Sequence, residues 1–347
     1  MNEDEAPRSM RGRLALAGCV LGLLGLVLVT LLQGSAGLGS SAHWLLALVT
    51  PFVLQLTVAC GVLALALLLL REWELLVVTL VLLAYNGQRI RTALTPRLEP
   101  DAEHAHRADE EPIRLLLANV NTANRGWDRV LALVEEEDPD VIALLEVSDA
   151  WLEGLAPLSQ THPLRAAEPR GDNFGIALWS RLEPGTAEVL HHAEAQHGTA
   201  DLPAIRATFD LGSGRPVTLI ACHPVPPIGR RLTAARNEQL GWLTMLATQA
   251  GPRAILAGDL NGTPWCLEPH LTWHLQDARA TAGAGLATTW PARLPDPFRI
   301  PIDHVLHARN VTCTSLRVGP RIGSDHLPLI ADLATVGTEP WSPARKR

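Results

Sequence analysis

The chain has 347 residues, 47% of them hydrophobic and 19% charged, which is enough for one large domain plus an appendage. Its net charge is −7, and from Glu111 onward 21 Lys and Arg stand against 26 Asp and Glu, −5 by subtraction. Proteins that grip nucleic acid through its phosphates carry the opposite excess, so a nucleic-acid partner is disfavoured.

The appendage comes first. Residues Leu14 to Leu32 and Trp44 to Leu70 are uncharged apolar runs, each as long as the ~20 residues that cross a bilayer as helix. A third run, Leu75 to Tyr85, is shorter and needs Trp73 and Asn86-Gly87 to cross. Arg8, Arg11 and Arg13 before the first run would suit a cleaved signal peptide, but a secreted enzyme needs no second and third span. Residues 14–90 are therefore expected to form a membrane anchor of three transmembrane helices after a cytoplasmic tail, 1–13. The segment Gly34 to His43 has no Lys or Arg, which places it outside and, after three spans, the following domain outside as well. Arg89, Arg91 and Arg97 run against that orientation. Residues 91–111, rich in Pro, acid and His, look like a solvated linker, in which His104 and His106 are given no role. Residues 112–334 are the expected catalytic domain and 335–347 a loose tail.

Within the domain, strands are expected at Leu115–Val120, Val141–Leu145, Ile176–Trp179, Ala204–Phe209, Val217–Ala221, Ala254–Ala257, Ile302–Leu306 and Leu329–Leu333, all short and apolar or alternating. Helices are expected at Trp127–Glu137 and Leu232–Ala250 from their apolar spacing. The pattern fits an α/β fold, a two-sheet β-sandwich flanked by helices. His270 and His274 share a helical face, but Leu271 stands where a zinc protease needs Glu, so they carry no metal role. Of the five cysteines none forms a C-x-x-C pair, and Cys222, Cys266 and Cys313 leave room for one disulfide of unassigned pairing.

The chemistry lies in Gly258-Asp259-Leu260-Asn261-Gly262, Arg299-Ile300-Pro301-Ile302-Asp303-His304 and Gly323-Ser324-Asp325-His326-Leu327-Pro328. Each element follows or enters an apolar run, which places carboxylates and an imidazole at strand ends. Hard oxygen ligands for Mg²⁺, a carboxylate to activate water and an imidazole facing developing charge are what phosphoester hydrolysis requires.

With Leu115 to Asn121, Asp138 to Glu146, Asn173 to Arg181 and Leu219 to Pro224 in the same order, the chain resembles the endonuclease/exonuclease/phosphatase superfamily, the DNase I-like fold, from about Ile113 to Leu333. The resemblance implies roles. Glu146, Asn119 and Asp325 would hold Mg²⁺ or Mn²⁺. Asp259 would orient or deprotonate the attacking water, and Asn261 would hold that water or a phosphate oxygen. His223 would contact the phosphate, His326 would stabilise the pentacovalent phosphorus, and Asp303 would orient His326. Arg230, Arg231 and Arg236, which follow the His223 loop, could meet a second phosphate, although each alone suits a solvated helix start. Abasic-site endonucleases of the superfamily use a cleft tyrosine, and the single tyrosine here, Tyr85, lies in the third apolar run, which disfavours that branch. Anchored members similar to this chain include proteins associated with glycopeptide-antibiotic resistance. The expected protein is thus a multi-pass cell-membrane phosphatase whose partners are the bilayer and a lipid-linked phosphate or pyrophosphate outside the cytoplasm. An anchored nuclease and a non-catalytic binding module on the same fold are the alternatives.

Overall fold

The computed structural model describes residues 10–34, 44, 48–96, 111–211, 216–271 and 274–335. Arg8, the 35–43 segment, Arg97, His104, His106 and residues 336–347 lie outside them. The chain divides into two compact units on either side of Thr92, each described by itself.

The first unit contains helices α1 (Met10–Gly34), α2 (Val53–Leu70) and α3 (Trp73–Leu94). Leu23, Cys60 and Leu82, one from each helix, form a small buried cluster, and buried Asn86 donates to the hydroxyl of Thr30 at 3.3 Å. Arg71, in the left-handed conformation at φ 57°, caps α2 and turns the chain into α3 within two residues. Large apolar side chains such as Leu21, Val62, Leu69 and Val81 point outward. Thr50–Leu70 is, among the described residues, the helical stretch long and apolar enough to cross a membrane, and Leu16–Leu28 is a shorter apolar segment.

The second unit is built from β1 (Glu111–Asn119), α4 (Trp127–Glu137), β2 (Val141–Leu145), α5 (Asp149–Gly154), β3 (Leu164–Glu168), β4 (Ile176–Ser180), β5 (Pro184–His191), β6 (Pro203–Phe209), β7 (Val217–Cys222), α6 (Gly229–Ala250), β8 (Ala254–Asp259), α7 (Pro264–Leu271), β9 (Gln276–Asp277), α8 (Ala278–Ala282), β10 (Asp303–His307), β11 (Val311–Val318) and β12 (Leu329–Thr335). They form two six-stranded sheets, in the orders β11-β12-β1-β2-β4-β3 and β5-β6-β7-β8-β10-β9. Each sheet is mixed: β1 with β2 and β7 with β8 are parallel, the remaining pairs antiparallel. Leu115, Leu117, Ala143, Leu178 and Leu329 of one sheet pack on Ile205, Leu219, Ile255 and Val305 of the other. The alternate residues Leu116, Ile142 and Ala177 face α4 through Val130 and Val134, while Ile220 and Leu256 face α6 through Leu240 and Leu243. The central strands are therefore covered on both faces, which is why they read as continuous apolar runs. This is the two-sheet sandwich flanked by helices expected from the sequence.

Four strands were not expected. β3 and β5 lie at sheet edges with partly exposed, mixed side chains, and β9 has two residues. In β11 the buried residues Val311, Cys313 and Leu316 change spacing from two to three, because a bulge between Cys313 and Ser315 shifts the register. All five cysteines are free, so the disulfide left open by the sequence does not form.

Candidate functional site

The parallel pairs bring four strand ends to one edge of the sandwich. Asn119 closes β1, Glu146 follows β2, His223 follows β7 and Asp259 closes β8. Strand β10 runs antiparallel to β8 and starts beside it, with Asp303 opposite Asp259 in register. The turn before β12, opposite Leu117 of β1, supplies Asp325 and His326. Residues distant in sequence thus converge because strand polarity leaves them no other end to occupy.

The convergence is tight. Asn119 Nδ2 donates to Glu146 Oε1 at 2.8 Å and to Asp259 Oδ2 at 3.2 Å. His223 Nε2 lies 3.4 Å and His326 Nε2 3.6 Å from that same Asp259 oxygen. His326 Nδ1 is 2.9 Å from Asp303 Oδ2, which also accepts from the hydroxyl of Thr289. Asn119, Asp259, Asp303, His223 and His326 are buried, and Glu146 is 9% exposed. Asn261 Nδ2 donates to the carbonyl of Pro224 at 2.9 Å and lies 3.3 Å from His223 Nε2.

The electrostatics follow from this packing. Burial alone would push the Asp259 carboxyl up, but the His326 charge and the hydrogen bond and charge of His223 hold it at about 2. Burial likewise disfavours a charged His326, yet the facing carboxylates of Asp303 and Asp259 outweigh it and raise the imidazole to about 10. His223 is raised as well, its burial being more than offset by Asp259 and Glu146. For Asp325, hydrogen bonds from Asn121 and Trp290 and the His326 charge overcome burial and lower the carboxyl.

Two groups can be separated by the chemistry of their donors. Asp259, Asp303 and His326 place one polar atom each within 4.8 Å of one another. A His326 held protonated offers N–H donors and no lone pair, so that trio suits charge relay better than cation ligation. Glu146, with Asp259 alongside, offers hard carboxylate oxygens that fit Mg²⁺ or Mn²⁺, and Asn119 steadies both as an Nδ2 donor while its own oxygen accepts from the amide of Asn121. Asp303 Oδ1 is buried without a partner, a further open oxygen at the same edge. Asp325, expected with the metal residues, is held by Asn121 Nδ2 at 2.8 Å and Trp290 Nε1 at 3.1 Å. Arg230 and Arg231 are exposed in the first turn of α6, where Arg231 Nε donates to the carbonyl of His197 at 3.4 Å.

Several supporting residues escaped sequence reasoning. Arg236, expected with Arg230 and Arg231 at a second phosphate, is instead buried and donates to the carbonyl of Asn261 at 3.0 Å, a support of the Asp259–Asn261 turn that the sequence did not show. Asn121 and Trp290 grip Asp325, and Ser324 Oγ accepts from the amide of His326 at 3.1 Å. Arg279, 1% exposed, donates to the carbonyl of Asp303 at 2.6 Å and pairs with Asp277, which in turn faces His304 at 2.9 Å. Of these, Asn121 alone carried a visible cue, its place in the Asn119-Val120-Asn121 turn.

The sequence profile of the Endonuclease/Exonuclease/phosphatase family matches residues 116–326. No curated protein sequence matches the chain. Among solved structures, a humanized D. rerio TDP2 carrying 14 mutations is 17% identical, with 64% of this chain and 99% of that one covered at a TM-score of 0.54. An endonuclease/exonuclease/phosphatase from Bacteroides vulgatus is 20% identical over 65% of this chain and 99% of its own, TM-score 0.54. Another from Beutenbergia cavernae is 22% identical over 65% of this chain and 72% of its own, TM-score 0.52. At these identities the likeness is one of fold.

Proposed function

Because the chain belongs to the Endonuclease/Exonuclease/phosphatase family, a hydrolytic one, we propose that it is a membrane-anchored, Mg²⁺- or Mn²⁺-dependent phosphoesterase acting outside the cytoplasm on a lipid-linked phosphate or pyrophosphate. The observation that carries the hydrolytic reading is the buried line from Asp303 through His326 to Asp259, which places a charged imidazole and a carboxylate of low pKa at one strand edge.

In this reading Asp259 and Asn261 orient the attacking water, Asp259 accepting a hydrogen bond from it as a carboxylate that stays ionised at neutral pH. His326, fixed by Asp303, faces the negative charge that gathers on the phosphoryl oxygens, and His223 contacts the same group from the β7 side. Glu146 and Asp325 would hold the cation, with Asn119 steadying Glu146 through its Nδ2 hydrogen bond, and the cation's chemistry is to polarise a phosphoryl oxygen and offset charge. The apolar Thr50–Leu70 helix supports attachment to a bilayer. The three apolar runs of the sequence, with the arginine-free Gly34 to His43 segment after the first, favour the outward placement, and an anchor at the bilayer favours a lipid-linked substrate. The acidic balance of residues 111–347 favours that substrate over nucleic acid.

The test is a hydrolysis panel on the full chain in detergent, with polyprenyl pyrophosphate, inositol phosphates, sphingomyelin and DNA. Turnover of the polyprenyl substrate should require Mg²⁺ or Mn²⁺, and Glu146→Gln should raise the metal concentration needed. Full activity in excess chelator would end the metal assignment. DNA cleavage without lipid turnover would favour an anchored nuclease; a D. rerio TDP2 of similar fold is solved in complex with a single-strand DNA product.

A further inference from the structure

Beside Asp325 opens a cavity of about 440 Å³ whose lining includes Arg129, Arg293, Arg321, Trp290 and Asp325. Arg129 comes from α4, Arg293 from the segment between α8 and β10, and Arg321 from the turn between β11 and β12. Three separate parts of the chain thus place exposed arginines around one space. Most arginines of this unit have acidic or carbonyl partners: Arg114 pairs with Asp332, Arg170 with Asp172, Arg181 with Asp140 and Arg317 with Glu137. Among the described residues, Arg129, Arg293 and Arg321 have no side-chain hydrogen bond or ion pair. The three exposed arginines outnumber the single carboxylate of that wall, and an anion bound among them would meet an excess of positive charge.

The one carboxylate in the wall, Asp325, is ionised and offsets one of the three positive charges, leaving an excess of two. Asp325 is engaged on one oxygen by Asn121 and on the other by Trp290. Trp290 also ties the cavity to the site, since its ring lies 6.4 Å from that of His326 and shares the same wall. An anion in the cavity would therefore lie next to the group undergoing reaction, not on a remote face.

Resting on the phosphoesterase reading above, we propose that Arg129, Arg293 and Arg321 form a subsite for a second, non-reacting phosphate of the substrate. The substrate class is then a molecule with at least two phosphate groups near one another, and a monophosphate on a neutral alcohol fills half of the site. Guanidinium groups suit this task because they stay charged and meet phosphate oxygens through paired N–H donors. A pyrophosphate and a phosphodiester with a neighbouring phosphate both supply that chemistry.

The test uses the full chain, its three single variants Arg129→Gln, Arg293→Gln and Arg321→Gln and their combination, with Arg309→Gln, in an exposed turn, as the control for loss of one surface charge in each single variant. Substrates are bis(4-nitrophenyl) phosphate, which has one phosphate, geranyl pyrophosphate and a 5′-phosphorylated dinucleotide. For at least one two-phosphate substrate the triple variant should lose kcat/KM at least about ten-fold more than for the one-phosphate substrate, mainly through KM. The substrate that loses more identifies the source of the second phosphate. Equal losses on all three substrates, or a loss in Arg309→Gln matching those of the single variants, would overturn the subsite. A separate arm titrates inorganic pyrophosphate into metal-free protein, where the triple substitution should weaken binding at least about ten-fold and raised salt should weaken wild-type binding. Equal binding by wild type and variant overturns the proposal. Arginine-dependent pyrophosphate binding by a chain that hydrolyses none of the substrates would end the phosphoesterase reading and leave the subsite standing.

Discussion

His326 is the residue on which the proposed chemistry turns, and its protonation is set by its neighbours. A carboxylate that exists to orient an imidazole has no role once that imidazole is gone. Asp303→Ala and His326→Ala should therefore each lower kcat strongly, with small change in KM, and the double variant should match the worse single one. Asp259→Ala removes water activation, a separate function, and should compound with either, by ~10² to 10⁴ for a positioned acid or base. Effects of Asp303 and His326 that add fully in free energy would reduce Asp303 to a strand-end packing residue. A stability consequence follows from the same geometry. Burial opposes the charge on His326, but Asp303 and Asp259 raise its pKa from 6.5 to about 10. A raised pKa means that the charged form stabilises the fold fully below pH 6.5 and that this contribution is lost as pH climbs through about 10. In chelator-treated protein the melting temperature of the wild type should fall across that window more than that of His326→Gln. Parallel curves for the two proteins would contradict it.

At the scale of elements, the β7–β8 parallel pair decides whether the site can form. Gly258 of β8 sits so close to β7 that a Cβ there would lie 1.9 Å from the carbonyl oxygen of Cys222. The glycine lets two strands whose ends bear His223 and Asp259 approach, and beyond it Asn261 takes a left-handed turn at φ 49° that Arg236 secures through its carbonyl. Glu146 likewise turns left-handed at φ 61°, a conformation uncommon for a non-glycine residue, and it is anchored by Asn119 and by Thr122. Gly258→Ala must move backbone and not a side chain, so we expect a loss of about 1–3 kcal/mol in chemical denaturation. Activity per folded molecule should fall with it. A variant with wild-type stability and activity would show that the strands separate freely.

For the whole molecule, the open question of mechanism is where the cleft meets its substrate. A lipid-linked substrate needs the hydrolytic unit on the side of the bilayer that the arginine pattern assigns to it. A reporter that matures only outside the cytoplasm, fused after Arg347, should be active, and the protein should stay with membranes through a carbonate wash. A reporter active only in the cytoplasm would reverse the orientation, and release by carbonate would remove the anchor.

Sequence alone determined the features that depend on short-range pattern. The doubly covered strands β1, β2, β7 and β8 announced themselves as apolar runs, since a strand buried on both faces has no polar side to show. Asn119, Glu146, His223 and Asp259 stand at or just past the ends of such runs, and the family resemblance of the motifs singled them out together with Asp303 and His326, which the fold brings to the same edge. Tertiary structure decided what depends on pairing across the chain. The bulge in β11 broke the two-residue period at Ser315 and hid that strand, and the edges β3 and β5 lack a second buried face to mark them. Arg236 and Arg279 looked like surface charges until their burial against Asn261 and Asp303 appeared. Arg129, Arg293 and Arg321 are separated by 164 and 28 residues in the chain, and no local pattern connects them. They share one cavity because α4 and the turns before β10 and β12 meet at the same edge of the sandwich, a relation set by sheet order and invisible in any window of sequence.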